Sequence, residues 1–101
     1  MAMNVQLITQ PSVGVMQMLT ARLGANAKSQ IDSIEASAVG LVQGKLVDMI
    51  AAADIAEKAS TVNVFDLKGS CPQHFTMIGI FGDVAAVKAS LDALGKVEGL
   101  L

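Results

Sequence analysis

The feature that most constrains the fold is the stretch from Thr61 to Gly82. "TVNVFDL" (Thr61–Leu67) alternates apolar and polar residues, and "FTMIGIFG" (Phe75–Gly82) is a denser apolar run. Both read as strands, because successive strand side chains point to opposite faces and a run buried on both faces turns apolar throughout. Only "KGSCPQH" (Lys68–His74) separates them. A connection that short joins neighbours in an antiparallel pair, since parallel neighbours need a long crossover.

The remaining elements arrange themselves around this pair. "NVQLITQ" (Asn4–Gln10) reads as a half-buried strand ended by Pro11. Ser12 is placed to cap a helix whose apolar positions Val15, Met16, Leu19 and Leu23 recur at helical spacing, with Gly24 as its stop. "ANAKSQIDSIEA" (25–36) is polar and small and reads as a linker. "SAVGLVQ" (Ser37–Gln43) reads as a mostly buried strand. "KLVDMIAAADIAEKAS" (Lys45–Ser60) reads as an Ala-rich helix with Leu46, Met49, Ile50, Ala53 and Ala56 or Glu57 along its faces, its small side chains permitting close approach to a sheet. Asp83 caps a last amphipathic helix carrying Val84, Val87, Leu91 and Leu94 on one side.

The order β-α-linker-β-α-β-β-α places the chain in the α+β class, with an antiparallel β-sheet and flanking helices. The ferredoxin-like plan is β-α-β-β-α-β. From Ser37 onward the chain supplies that plan one strand short, and a spare strand and helix precede the linker. A circular permutation has this appearance, because chain ends in compact domains often lie close together. The expected organisation is a single domain over 1–101: a strand and helix at 1–24, a linker at 25–36 and a core at 37–101.

Composition narrows the function classes. A chain of 101 residues with 52% hydrophobic and 16% charged residues builds one modest globular core. It has no Trp or Tyr and three Phe, so that core is aliphatic and packed from small side chains. A mean hydropathy of +0.55 leaves apolar surface that self-association most simply hides. A net charge of −2 without a basic run argues against nucleic acid or an anionic membrane as partner. The apolar runs fall short of a membrane span, and "MAMNVQLITQ" lacks the layout of a secretory signal. One cysteine makes no internal disulfide framework, so the expected compartment is the reducing cytoplasm.

The short connection holds the chain's single cysteine, Cys71, and single histidine, His74. A structural zinc site takes about four protein ligands, twice what one chain offers at this spacing. Gly69 and Pro72 mark an exposed turn, so Cys71 is expected to be accessible. No acid/base pair and no Ser-His-Asp order is present, and the glycine spacing ahead of "GKLVD" fails the phosphate-loop pattern. Cys71 as a redox nucleophile lacks a resolving thiol. Asp48, Asp54 and Glu57 solvate the polar face of a helix. A ligand-binding regulatory domain on a ferredoxin-like scaffold stays open at this point.

Two stretches carry a family resemblance. "AVGLVQGKLVDMIAAADIAEKAS" (Ala38–Ser60) and "FGDVAAVKASLDALG" (Phe81–Gly95) resemble the bacterial microcompartment shell domain, the BMC domain. "NVQLITQPSVGVMQML" (Asn4–Leu19) resembles that family's last strand and helix moved to the front, as in its permuted branch. "GSCPQH" resembles shell proteins of glycyl-radical, propanediol-type compartments. The resemblance implies a non-enzymatic hexameric tile of a cytoplasmic microcompartment shell. Its partners are copies of itself, other shell proteins and encapsulated enzymes. The loop Lys68, Gly69, Ser70, Cys71, Pro72, Gln73 and His74 is then implied to line a central pore. Cys71 from several subunits is implied to bind a shared iron–sulfur cluster of the [4Fe–4S] kind, for electron transfer across the shell. His74 becomes an optional ligand and Lys45 a residue of the hexamer edge. An inter-subunit zinc site or an empty pore is the alternative.

Overall fold

In a computed structural model, residues 3–34, 36–69 and 75–98 are described. The elements are β1 (Asn4–Thr9), α1 (Val13–Ala21), α2 (Ala25–Ile31), β2 (Ala38–Lys45), α3 (Leu46–Ala59), β3 (Asn63–Leu67), β4 (Phe75–Gly82) and α4 (Val84–Glu98). The strands form one antiparallel sheet in the order β1-β2-β4-β3. The expected hairpin is present: Asn63 lies opposite Phe81 and Leu67 opposite Met77. β2 and β4 are the central strands, which explains their near-continuous apolar character.

Strand alternation sorts the side chains into two cores. On one face, Ala38 and Val42 of β2 with Ile78 and Ile80 of β4 pack under α3 and α4, against Met49, Ala52, Ala56, Val87 and Leu94. On the other, Val39, Leu67 and Phe81 pack under α1 and α2, against Leu19, Leu23 and Ile31. The sheet is therefore sandwiched between two helical layers.

Glycine sets how closely these layers approach. A Cβ on Gly40 would lie 3.1 Å from the Leu91 side chain and 3.2 Å from that of Val87, so α4 rests on bare backbone there. On the opposite face, a Cβ on Gly79 would lie 2.7 Å from the Phe81 ring and 3.1 Å from Leu67. That ring covers Gly79 and meets Phe65 at a centroid distance of 5.8 Å, tilted by 58°.

The helix termini are built as the sequence predicts at two places. The Ser12 hydroxyl accepts from the Val15 amide at 3.2 Å, and the Asp83 carboxylate accepts from the Ala86 amide at 2.8 Å. Two expectations need correction. α1 stops at Ala21 with Arg22 as its cap, and Gly24 instead opens the next helix as the α2 N-cap. The expected linker contains that helix, Ala25–Ile31, because burying Ile31 against the second core anchors an otherwise polar segment. On α3 the buried stripe is Met49, Ala52 and Ala56, whereas Leu46 and Ile50 face outward. The small alanines are what let the helix close on the sheet.

α3 and α4 are also joined by a polar node. The fully buried Ser90 hydroxyl donates to the Ala56 carbonyl at 2.8 Å. The Ser60 hydroxyl reaches the Ala86 carbonyl at 2.6 Å and lies 2.8 Å from Ser90 Oγ. Each hydroxyl is satisfied, so the node adds direction to an otherwise apolar contact at little desolvation cost.

Candidate functional site

The chemistry-bearing loop leaves β3 and re-enters β4 at one end of the sheet. Its departure is fixed by burial and by backbone pairing. Leu67 is buried, and the next residue is clamped to the end of α1 from both sides. The Lys68 amide donates to the Arg22 carbonyl at 2.9 Å, and the Arg22 guanidinium donates to the Lys68 carbonyl at 3.2 Å. The loop's return is fixed by register: Phe75 lies opposite Lys45, and Thr76 opposite Gly44. Across the mouth, the Thr76 hydroxyl donates to the Asp66 carboxylate at 3.1 Å. Both feet of the loop are therefore rigidly held.

Of the expected site residues, Lys68 and Gly69 are exposed at the departing foot. The Lys68 ammonium lies back over Gly24, 3.7 Å from where a Cβ would stand on that glycine. Ser70, Cys71, Pro72, Gln73 and His74 lie outside the described residues. Lys45 is exposed at the end of β2, where it serves as the extended N-cap residue of α3 without a side-chain cap bond. Its pairing with Phe75 puts it at the foot of the loop. Among the described residues, no group of three or more His, Cys, Asp or Glu is placed to hold a metal ion.

The sequence reading missed the surface around this end. Leu46, Val47 and Ile50 are exposed and lie together where β2 passes into α3, and Phe75, opposite Lys45 at the start of β4, is exposed as well. Beside them a groove of about 210 Å³ runs between α3 and the β3–β4 edge, flanked by Glu57 and Asp66. On the opposite face, a hollow of about 400 Å³ lies between α1 and the sheet, with Ile8, Met18, Leu41 and Met77 in its walls and Arg22 at its margin. The signal that could have found the first patch was the run "LVDMI". Its Leu46, Val47 and Ile50 exceed what one face of an Ala-sealed helix can bury. No described helix is long and apolar enough to cross a membrane.

Comparison with known proteins agrees with this architecture. The BMC-domain family model matches residues 38–99. No curated protein matches the chain. Among solved structures, the chain is similar to the ligand-free GrpU microcompartment shell protein from Clostridiales bacterium 1_7_47FAA. Identity is 32%, the TM-score is 0.69, and 95% of this chain and 92% of that one are covered. It is also similar to the ligand-free GrpU microcompartment shell protein from Pectobacterium wasabiae, at 25% identity and TM-score 0.75, covering 91% and 99%. A fused permuted hexameric shell protein, MSM0275 of the RMM microcompartment, shares the fold at 19% identity and TM-score 0.53; the chain covers 44% of its length. With the family model spanning more than half of the chain and a shell protein 32% identical over nearly all of it, the chain belongs to the BMC-domain family of microcompartment shell proteins.

Proposed function

We propose that this chain is a hexameric tile of a microcompartment shell, with the 68–74 loop on its central axis and an iron–sulfur cluster held there by Cys71 from several copies. As a member of a shell-protein family the chain is structural and not an enzyme. The single observation that carries the tile reading is the 32% identical GrpU shell protein, matched over 92% of its length.

The sheet order supports a permuted domain. β2-α3-β3-β4-α4 follows the ferredoxin-like plan, and the edge place beside β2, where that plan's last strand belongs, is filled by β1 from the front of the chain. A segment moved in this way leaves β3 and β4, and the loop between them, at the position the family resemblance assigns to the pore. One revision follows for Lys45. A residue paired with Phe75 at the foot of an axial loop lies near the axis, so it does not serve at the outer edge of the same hexamer. The cation that α3 carries to its far end is Lys58, bound to Asp54 at 2.8 Å.

For the cluster, the donor chemistry fits a ring and does not fit one chain. An iron–sulfur cluster takes about four thiolates, and each chain carries one cysteine. Copies gathered at an axis supply the rest at high effective concentration. The clamped feet of the loop, Lys68 on Arg22 and Thr76 on Asp66, would present each Cys71 from a fixed base. Such a cluster supplies one-electron transfer across the tile. Anaerobically purified protein should be brown, contain iron and acid-labile sulfide, and lose both in Cys71→Ser. Zinc without sulfide would replace the cluster by an inter-subunit zinc site. A colourless, metal-free protein after reconstitution with iron and sulfide would remove the metal and leave the tile.

A further inference from the structure

The exposed apolar residues at the loop end form two unlike surfaces. The first is a ridge: Leu46, Val47 and Ile50 at the start of α3. The second is the hollow between α1 and the sheet, walled by Ile8, Met18, Leu41 and Met77. They lie on opposite faces of the sheet, because the ridge belongs to the α3 layer and the hollow to the α1 layer. Yet they lie at the same end. Leu46 follows Lys45, which pairs with Phe75. The hollow takes in Gln43 and Met77, a register pair two residues back along the same strands.

The flanking charges are complementary. The groove beside the ridge is lined by Glu57 and Asp66 and by no cation, although Lys45 stands on the ridge's other flank. The hollow is lined by Arg22 and by no acid. Arg22 spends one donor on the Lys68 carbonyl, and a guanidinium has further N–H groups to offer a carboxylate.

We infer that the ridge of one copy docks into the hollow of the next, with Arg22 of the receiving copy facing Asp66 and Glu57 of the donating one. The occupant of each surface is a second copy of this chain, and the inference rests on the ring reading above. A contact between two different patches is heterologous and propagates until it closes or forms a filament. Patches on opposite faces, both at one end, turn successive copies about an axis at that end, like segments around a core. The end in question is the one that bears the loop. Ring closure and an axial loop then have the same structural cause.

The full chain tests this by complementation. Ile50 and Met18 are 65% and 63% exposed, so Ile50→Glu spoils the ridge and Met18→Glu spoils the hollow without entering either core. Val47→Glu, at a residue 73% exposed, repeats the ridge arm. Circular dichroism melts confirm that each variant is folded. In sedimentation velocity each variant alone should lose the ring and run as monomer. An equimolar mixture of Ile50→Glu and Met18→Glu should give a heterodimer and nothing larger, because it contains one sound ridge and one sound hollow. Folded Ile50→Glu or Met18→Glu protein that still forms the wild-type ring overturns the inference and spares the tile. Monomeric variants whose mixture stays monomeric also overturn it, since ridge and hollow then do not meet. Wild-type protein that never leaves the monomer sinks the tile reading itself.

Discussion

The two faces of the sheet are sealed by different means. The α3/α4 face is closed by long helices of 14 and 15 residues resting on alanine and on the bare backbone of Gly40. Its helices are tied to each other by the Ser60–Ser90 node. The α1/α2 face is covered by helices of 9 and 7 residues, which leave the hollow at the loop end. Its order comes from the Phe65–Phe81 ring pair over Gly79 and from the backbone clamp between Arg22 and Lys68. The family model spans both helices of the first face and none of the second. One face is closed apart from the groove of about 210 Å³ along α3 and the other keeps the hollow of about 400 Å³, so the protein is finished as a fold and unfinished as a surface.

The largest effect that would break this contrast is expected at Gly79. Gly79→Val drives a branched side chain into the Phe81 ring and Leu67, and overpacking of that kind costs about 3 kcal/mol. Chemical denaturation should show a large drop in the midpoint, because the ring pair is the main seal of the thin face. A loss of only a few tenths of a kcal/mol would mean that α1 and α2 shift freely and that the thin face is not packed. A smaller effect is expected on the other face. Ser90→Ala removes the hydroxyl that bridges Ala56 and Ser60, worth about 1 kcal/mol, while the apolar contacts of Val87 and Leu94 remain. A cost as large as that of Gly79→Val would make the node, and not the alanine packing, the main fastening of α3 to α4.

Much of this architecture is legible in the sequence, for local reasons. β4 reads correctly over Phe75–Gly82 because its run from Met77 to Gly82 is apolar throughout, as burial of Ile78 to Gly82 on both faces of a central strand requires. Ser12 and Asp83 declare their helices because capping is a property of one residue and the amides just after it. α2 is missed because its burial depends on the single residue Ile31 and its N-cap is a glycine that looked like the end of α1. The close approach of α3 is legible in its alanines, but which of its positions turn outward is not, because Leu46 and Ile50 are more apolar than the alanines that face the sheet. That arrangement follows from tertiary packing: alanine wins the inner face through close approach, and the bulkier residues are left outside. The role of Cys71 is the least legible, since one thiol per chain does not by itself complete a metal site and the residue lies outside those described.

The central claim is a ring with the loop at its centre. Electron microscopy of concentrated wild-type protein tests it most directly. The account predicts six-membered rings that tile into flat layers, with the density of residues 70–74 on the sixfold axis and the far end of α3, near Lys58, on the rim. Compact oligomers that never tile, or rings with the loop at the periphery, would contradict it.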